Sequence, residues 1–324
     1  MLNVIDLGVL VLGMVAVWYG AGLVIDASVR VAKALKIHEA FIGLTILSIG
    51  TSLPEIFTHI MSSVYILKGV DASGISVGTN IGSNLVQITL ILGVVAIFLK
   101  VKAKQKELYR DYMIMIASIV ILWLFSLGGY ISRIEGAVLT ILYIAYMIYL
   151  FKHEHVVAKV ESKDHKNPHY WKNGGILAVG FVILLYGAHL VVTRGESLAE
   201  AWGIADSVLG ALIIGFGTAL PELTTAVRGV MKGASGMSLG TLIGSNITNP
   251  LFALGVGAII SGYTVDWNIL WVDLPIWFGV SILGFVFFKG WLPWFGKKLE
   301  INHKEGMVLL SLYVAYIAFK IYLL

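Results

Sequence analysis

The sequence predicts an all-α membrane protein of ten transmembrane helices arranged as two inverted five-helix repeats. Three observations point there. Of 324 residues, 58% are apolar and 13% charged, against about 25% charged in soluble domains. Apolar stretches of the roughly 20 residues that cross a bilayer recur along the whole chain. The first half of the sequence also returns, in register, in the second.

The spans run roughly Val4–Ile25, Glu39–Leu67, Ile75–Leu99, Asp111–Leu127, Ile134–Phe151, Gly174–Val192, Ser207–Met231, Met237–Ile260, Ile269–Phe288 and Gly306–Tyr322. Met1–Asp6 lacks the basic region of a cleavable signal peptide, and the apolar run after it has no small-residue cleavage pattern, so it reads as the first span. The first and sixth spans are expected to continue as polar helical ends, Asp26–Leu35 and Thr193–Ala201.

Loops after spans 1, 3, 5, 7 and 9, with the adjoining span ends, hold 19 of the 23 Lys and Arg residues. The positive-inside rule then places both termini outside the cell membrane. The net charge of +4 sits in these loops and implies no nucleic acid. With no cysteine, the chain has no disulfide and no thiolate metal site. The expected partner at this point is the bilayer; nothing marks an obligate protein partner, a cofactor or an enzyme.

Residues 1–151 form the first repeat, 152–172 a polar cytoplasmic linker and 173–324 the second repeat, within one integrated membrane domain. The linker carries His153, Glu154, His155, His165 and His169. These residues are chemically able to bind a metal, but no helix or hairpin period holds them together, so they read as a solvated connection.

The repeat is specific. Gly13–Glu55 aligns without a gap on Gly180–Glu222, so that Tyr19-Gly-Ala21 meets Tyr186-Gly-Ala188. Gly50-Thr-Ser-Leu-Pro-Glu55 meets Gly217-Thr-Ala-Leu-Pro-Glu222, and Gly78-Thr-Asn-Ile-Gly-Ser-Asn84 meets Gly240-Thr-Leu-Ile-Gly-Ser-Asn246. The first copy has five extra residues between the motifs, around Lys68–Gly74. Five spans per copy is odd, so the second copy enters the membrane inverted, an arrangement that places a substrate site at the midplane.

Glu55 and Glu222 fall near the middle of spans 2 and 7. A charge there costs about 2.5–3.5 kcal/mol on insertion scales. A single such residue has the lesser alternative of a hydrogen-bonded structural carboxyl; a symmetric pair can converge on one point and balance one divalent cation. Pro54 and Pro221 lack an amide hydrogen and free the carbonyl four residues back, Gly50 or Gly217, which must find a polar or positive partner. The bland alternative is a packing kink. Hard oxygen ligands of this kind suit Ca²⁺ and Na⁺ rather than zinc or copper. Ser83 and Gln87 share one face of span 3, and Ser245 and Asn249 repeat this on span 8, which makes them ligand candidates. Gly78, Gly82, Gly240 and Gly244 are better explained by close helix packing.

At these motifs the sequence resembles the sodium/calcium exchangers of the cation/calcium antiporter superfamily, in the prokaryotic form without a large regulatory loop. The resemblance covers both halves. It implies ten helices in two inverted repeats, with ion sites between the second, third, seventh and eighth, and exchange of Na⁺ for Ca²⁺ by alternating access as spans 1 and 6 slide over the core. It also implies that Glu55 and Glu222 are shared carboxylate ligands, and that Thr51, Thr218 and Ser52 offer carbonyl or hydroxyl oxygens. Ser83 and Ser245 match the family's hydroxyl ligands, and the carbonyls of Ser48 and Gly215 its outer sodium contacts. The chain departs from the family pattern in two ways. Ala219 stands where Ser is usual, and Gln87 and Asn249 where Asn or Asp is common, leaving no third carboxylate.

Three other readings stand beside this one. A proton/calcium antiporter of the same fold usually carries Gly-Asn-Ala-x-Glu around the key glutamate, which this chain lacks. A passive cation channel would need a pore lined by the two carboxylates. An intramembrane hydrolase would use His59 or His189 as a base, but no nucleophile motif accompanies either.

Overall fold

The structure, a computed structural model, describes residues 4–35, 39–98, 101–102, 105–160, 170–201, 219–290 and 300–323. Among the described residues five helices of more than 20 residues are unbroken: Val4–Leu35, Gln105–Ser126, Arg133–Val160, Tyr170–Ala201 and His303–Leu323. The first and the Tyr170 helix run on through the polar ends expected for them. Among the described residues, six helices are long and apolar enough to cross a membrane, or seven when a pair bent by 44° at Ser52 is counted as one span. The bent pair is Ala40–Thr51 and Leu53–Leu67.

The helices nearest the centre are interrupted. Ser73–Val86 passes through a π turn, Gln87–Ile91, into Leu92–Phe98. Ser235–Thr248 likewise passes through Asn249–Ala253 into Leu254–Ser261. Gln87 and Asn249, counterparts in the repeat, each open one of these turns. Such bulges release backbone groups from the regular ladder and are frequent at functional sites.

Polarity is inside out relative to a soluble protein. Leu12, Leu124, Ile134, Ile141 and Val182 face outward, while Ser48, Thr51, Ser52, Glu55, Asn80, Ser83, Gln87, Glu222, Ser245 and Asn249 are wholly buried. An apolar exterior of this extent belongs in lipid, and a polar centre inside a bilayer marks a pathway or site.

Close glycine contacts relate the two halves. The first helix packs antiparallel on the Tyr170 helix. A Cβ on Gly20 would lie 2.6 Å from the Leu184 amide nitrogen and 3.0 Å from the Gly180 carbonyl oxygen. A Cβ on Gly187 would lie 2.8 Å from the Val17 nitrogen and 2.9 Å from the Gly13 carbonyl oxygen. Adding the repeat offset turns each contact into the other. A second pair of contacts is likewise matched between the halves, Gly136 against Gly255, Ala258 and Ile259, and Gly306 against Gly93, Ala96 and Ile97.

Two features depart from the sequence reading. The Arg133 helix continues to Val160, into the stretch read as linker; no Gly or Pro follows Gly136 in it, so nothing ends the helix at Phe151. His153 and His155 therefore belong to a helix, and His165 lies outside the described residues, as does His169. Short antiparallel strand pairs also appear, Val101–Lys102 with Glu300–Ile301 and Tyr130–Ile131 with Tyr263–Thr264. They satisfy connecting backbone at the helix ends, where the helical ladder has stopped.

Candidate cation-binding site

The site begins with a helix break. At Ser52 the backbone turns to φ −81°, ψ 6°, and a new helix starts at Leu53 with Pro54 in its first turn. Proline fits there because the first amide hydrogens of a helix have no intrahelical partner. Glu55 therefore sits in the first turn of the second half-helix. In the other copy Ala219 adopts φ −86°, ψ 0°, Pro221 follows, and Glu222 occupies the first turn of Leu220–Met231. Both carboxyls thus lie at the positive end of a half-helix dipole, which favours an anion.

Gly244 lets the Ser235 helix close on the first half-helix, since a Cβ on it would lie 2.7 Å from the Ser48 Cβ. That approach brings the Ser245 hydroxyl within 3.5 Å of both the Ser48 carbonyl oxygen and Glu222 Oε1. Thr51 also lies beside the Glu222 carboxyl, and Glu55 is near enough to act on it electrostatically. On the opposite wall Asn249 Nδ2 donates to Ser83 Oγ at 3.4 Å and to Asn84 Oδ1 at 3.0 Å. Gln87 Oε1 accepts from Asn246 Nδ2 at 2.8 Å.

The polar atoms left over define the chemistry. Both carboxylate oxygens of Glu55, Oε2 of Glu222, Ser52 Oγ and Asn249 Oδ1 are buried without a hydrogen-bond partner among the described residues. Burying a polar group unpaired costs several kcal/mol, about 2–7 for a neutral one and far more for an ion. Carried by helices of both halves, these are hard oxygens of the kind that Ca²⁺ takes as ligands. Among the described residues no group of three or more His, Asp and Glu could hold a metal ion. The negative charge available is therefore that of the two glutamates.

The sodium/calcium exchanger protein family matches residues 5–152 and 172–322, leaving out the segment between the halves. The chain belongs to the sodium/calcium exchanger family. Its relatives include an uncharacterized membrane protein of Methanocaldococcus jannaschii, 32% identical over 97% of this chain and 98% of the relative. Another is the sodium/calcium exchanger MaX1 of Methanosarcina acetivorans, 29% identical over 97% of this chain and 98% of that protein. A solved structure of the sodium-calcium exchanger NCX_Mj, soaked with 2.5 mM Na⁺ and 0.1 mM Ca²⁺, superposes with a TM-score of 0.82 at 30% identity, covering 98% of this chain and 99% of that one.

In this family member nine of the residues singled out from sequence are wholly buried: Ser48, Thr51, Ser52, Glu55, Ser83, Gln87, Glu222, Ser245 and Asn249. Thr218 lies outside the described residues, as does Gly215. Gln87 stands in the cluster with its oxygen already engaged by Asn246. Four hydrogen-bonding neighbours of the two central amides carry no mark as candidates in the sequence reading: Asn80, Asn84, Asn246 and Trp277. Asn84 and Asn246 end the repeated glycine motif, a signal that was present. Asn80 and Trp277 have no counterpart of like chemistry in the other half, and periodicity alone gives them no mark.

His59 is a structural neighbour of the site rather than a base. It lies one turn beyond Glu55, donates from Nδ1 to Ser76 Oγ at 2.6 Å, and accepts at Nε2 from Asn80 Nδ2 at 2.9 Å. Both ring nitrogens are thereby occupied.

Proposed function

We propose that the chain exchanges Na⁺ for Ca²⁺ across the cell membrane by alternating access at a midplane site built on Glu55 and Glu222. The observation that carries this reading is the set of unpartnered buried oxygens on Glu55, Glu222, Ser52 and Asn249. One Ca²⁺ balances the two carboxylates, and Na⁺ ions replacing it restore the same neutrality. With the carboxylates bare, sealing the site from water leaves uncompensated charge in a low-dielectric interior, a cost that opposes empty crossing. Loaded crossing in both directions is exchange.

The architecture behind this is ten spans in two inverted repeats, residues 1–151 and 173–324, joined by a cytoplasmic connection. The paired glycine contacts that interchange under the repeat offset support it. So do the two strand pairs, which join equivalent places in the two halves: Val101–Lys102 with Glu300–Ile301 and Tyr130–Ile131 with Tyr263–Thr264. Both termini face outward, with the basic loops inside. The first and Tyr170 helices, packed antiparallel through glycines, form a separate pair able to slide over the core. Ca²⁺ and Na⁺ are cargo; no cofactor or protein partner is required by the mechanism.

The test is ⁴⁵Ca²⁺ uptake into vesicles holding the purified protein and loaded in turn with Na⁺, K⁺ or a proton gradient. Uptake that depends on internal Na⁺ is expected. Uptake driven by protons alone would identify the proton/calcium antiporter instead, and uptake without any counter-ion would identify a channel.

A further inference from the structure

The two central amides, Gln87 and Asn249, occupy equivalent places in the repeat, yet the hydrogen bonds behind them have opposite polarity. The Trp277 indole N–H can only donate, and it donates to Asn246 Oδ1 at 3.1 Å. The other end of the Asn246 amide must then be nitrogen, which donates to the Leu242 carbonyl at 3.0 Å and to Gln87 Oε1 at 2.8 Å. Gln87 is left with its nitrogen, buried and without a partner among the described residues.

The second chain starts from an atom that can only accept, the Asn249 backbone carbonyl, which takes a hydrogen bond from Asn80 Nδ2 at 2.8 Å. Asn80 Oδ1 then accepts from Asn84 Nδ2 at 3.4 Å, and Asn84 Oδ1 from Asn249 Nδ2 at 3.0 Å. Asn249 is left with its oxygen, also buried and unpartnered. The difference is written in the sequence. The offset that lays Gly78 on Gly240 lays Asn80 on Leu242 and Met115 on Trp277, so each chain has an anchor that the other half lacks.

We propose that Gln87 determines cation specificity by presenting an N–H, not an oxygen, to the cavity, and that Trp277 is a positioning residue that fixes this through Asn246. The proposal rests on the cation site assigned to Glu55 and Glu222. A cation is then drawn to the glutamates and the Asn249 oxygen and repelled from the Gln87 side. That N–H is free to bond a carboxylate oxygen or a water. Na⁺, which depends on many neutral oxygens, loses more by this than Ca²⁺, which depends on the carboxylate charge.

The experiment measures the Na⁺ concentration that displaces half of bound ⁴⁵Ca²⁺ from the purified protein, for wild type, Trp277→Phe, Gln87→Met and the double variant. Trp277→Phe releases Asn246 to turn, and Gln87 can then offer its oxygen. The Na⁺ requirement should fall about threefold to tenfold, the scale of one good polar contact. Gln87→Met removes the repelling donor with little change of shape and should lower the requirement about twofold or more, on the same scale. In the double variant the Trp277→Phe effect should disappear, because it acts through Gln87.

A rise of about tenfold in Gln87→Met would show that the Gln87 oxygen is a ligand and would overturn the proposal, even if Trp277→Phe failed to fold. A Trp277→Phe effect that persisted without Gln87 would reduce Trp277 to packing, and no effect of Trp277→Phe would remove its positioning role. Wild-type ⁴⁵Ca²⁺ that no Na⁺ displaced would instead sink the exchange reading beneath both.

Discussion

The Arg228 guanidinium lies 3.9 Å from the centroid of the Trp18 ring, joining the end of the Glu222 helix to the first helix. Gly22 makes room for it, since a Cβ there would lie 3.0 Å from Arg228 Nη1. One turn further along both helices, Lys232 pairs with Asp26. Trp18, Gly22 and Asp26 follow at four-residue steps, as do Arg228 and Lys232, so one face of each helix carries the whole contact. The repeat offset lays Leu185 on Trp18 and Met61 on Arg228, so the other end of the molecule has no equivalent.

This contact ties the proposed sliding pair to the core on one side of the membrane. A cation over a ring contributes about 0.5–1 kcal/mol when exposed and about 2 when desolvated. Trp18→Leu should therefore shift the balance of access states by about threefold to tenfold. Apparent Ca²⁺ affinities measured from the two faces of oriented vesicles should move in opposite directions. Affinities that stayed fixed on both faces would show that the contact does not distinguish the states.

Sodium dependence should be shallow or require high Na⁺, with no requirement for K⁺. The Ser52 hydroxyl is buried and unpartnered, while Ala219, its counterpart, offers no lone pair. Ala219→Ser should strengthen Na⁺ competition about twofold to tenfold and Ca²⁺ binding less. Asn249→Asp should strengthen cation binding generally, because it adds charge where an amide oxygen now stands. Sodium-driven ⁴⁵Ca²⁺ flux at graded Na⁺, with and without K⁺, measures both. An unchanged sodium curve for Ala219→Ser would mean that the added hydroxyl does not reach the ion.

The basic loops should lie in the cytoplasm. A single cysteine is a clean probe because the chain has none of its own. Lys104→Cys should be labelled by an impermeant reagent only after the cells are opened. Labelling of that position in intact cells would invert the topology.

Much of this was legible because membrane sequences carry few signals that compete. Pro54 and Pro221 marked the breaks beside the glutamates, and the structure turns the chain at Ser52 and Ala219, two residues before each proline. The gap-free alignment of Gly13–Glu55 on Gly180–Glu222 makes Gly20 and Gly187 equivalent, and the structure gives them matching contacts, with Leu184 and Val17. What sequence could not reveal was which end of an amide faces the cavity. Gln87 reads as an oxygen ligand by position, but its oxygen is held by Asn246, and Asn246 is held by Trp277, 31 residues further on. Such orientation depends on tertiary hydrogen bonds that leave no periodic trace. The helix beyond Phe151 is hidden for another reason: polar residues such as Lys152, His153 and Glu154 suggest a loop, though helices extend readily through polar residues where no Gly or Pro intervenes.

The most direct test of the shared carboxylate site is ⁴⁵Ca²⁺ uptake into Na⁺-loaded vesicles by wild type, Glu55→Gln and Glu222→Gln at equal protein content. Each substitution keeps the shape of the side chain and leaves a single charge to hold a dication. Uptake should be lost in both variants while each still purifies as a folded, membrane-inserted protein. Near-normal uptake by either one would contradict a site in which both glutamates hold the ion.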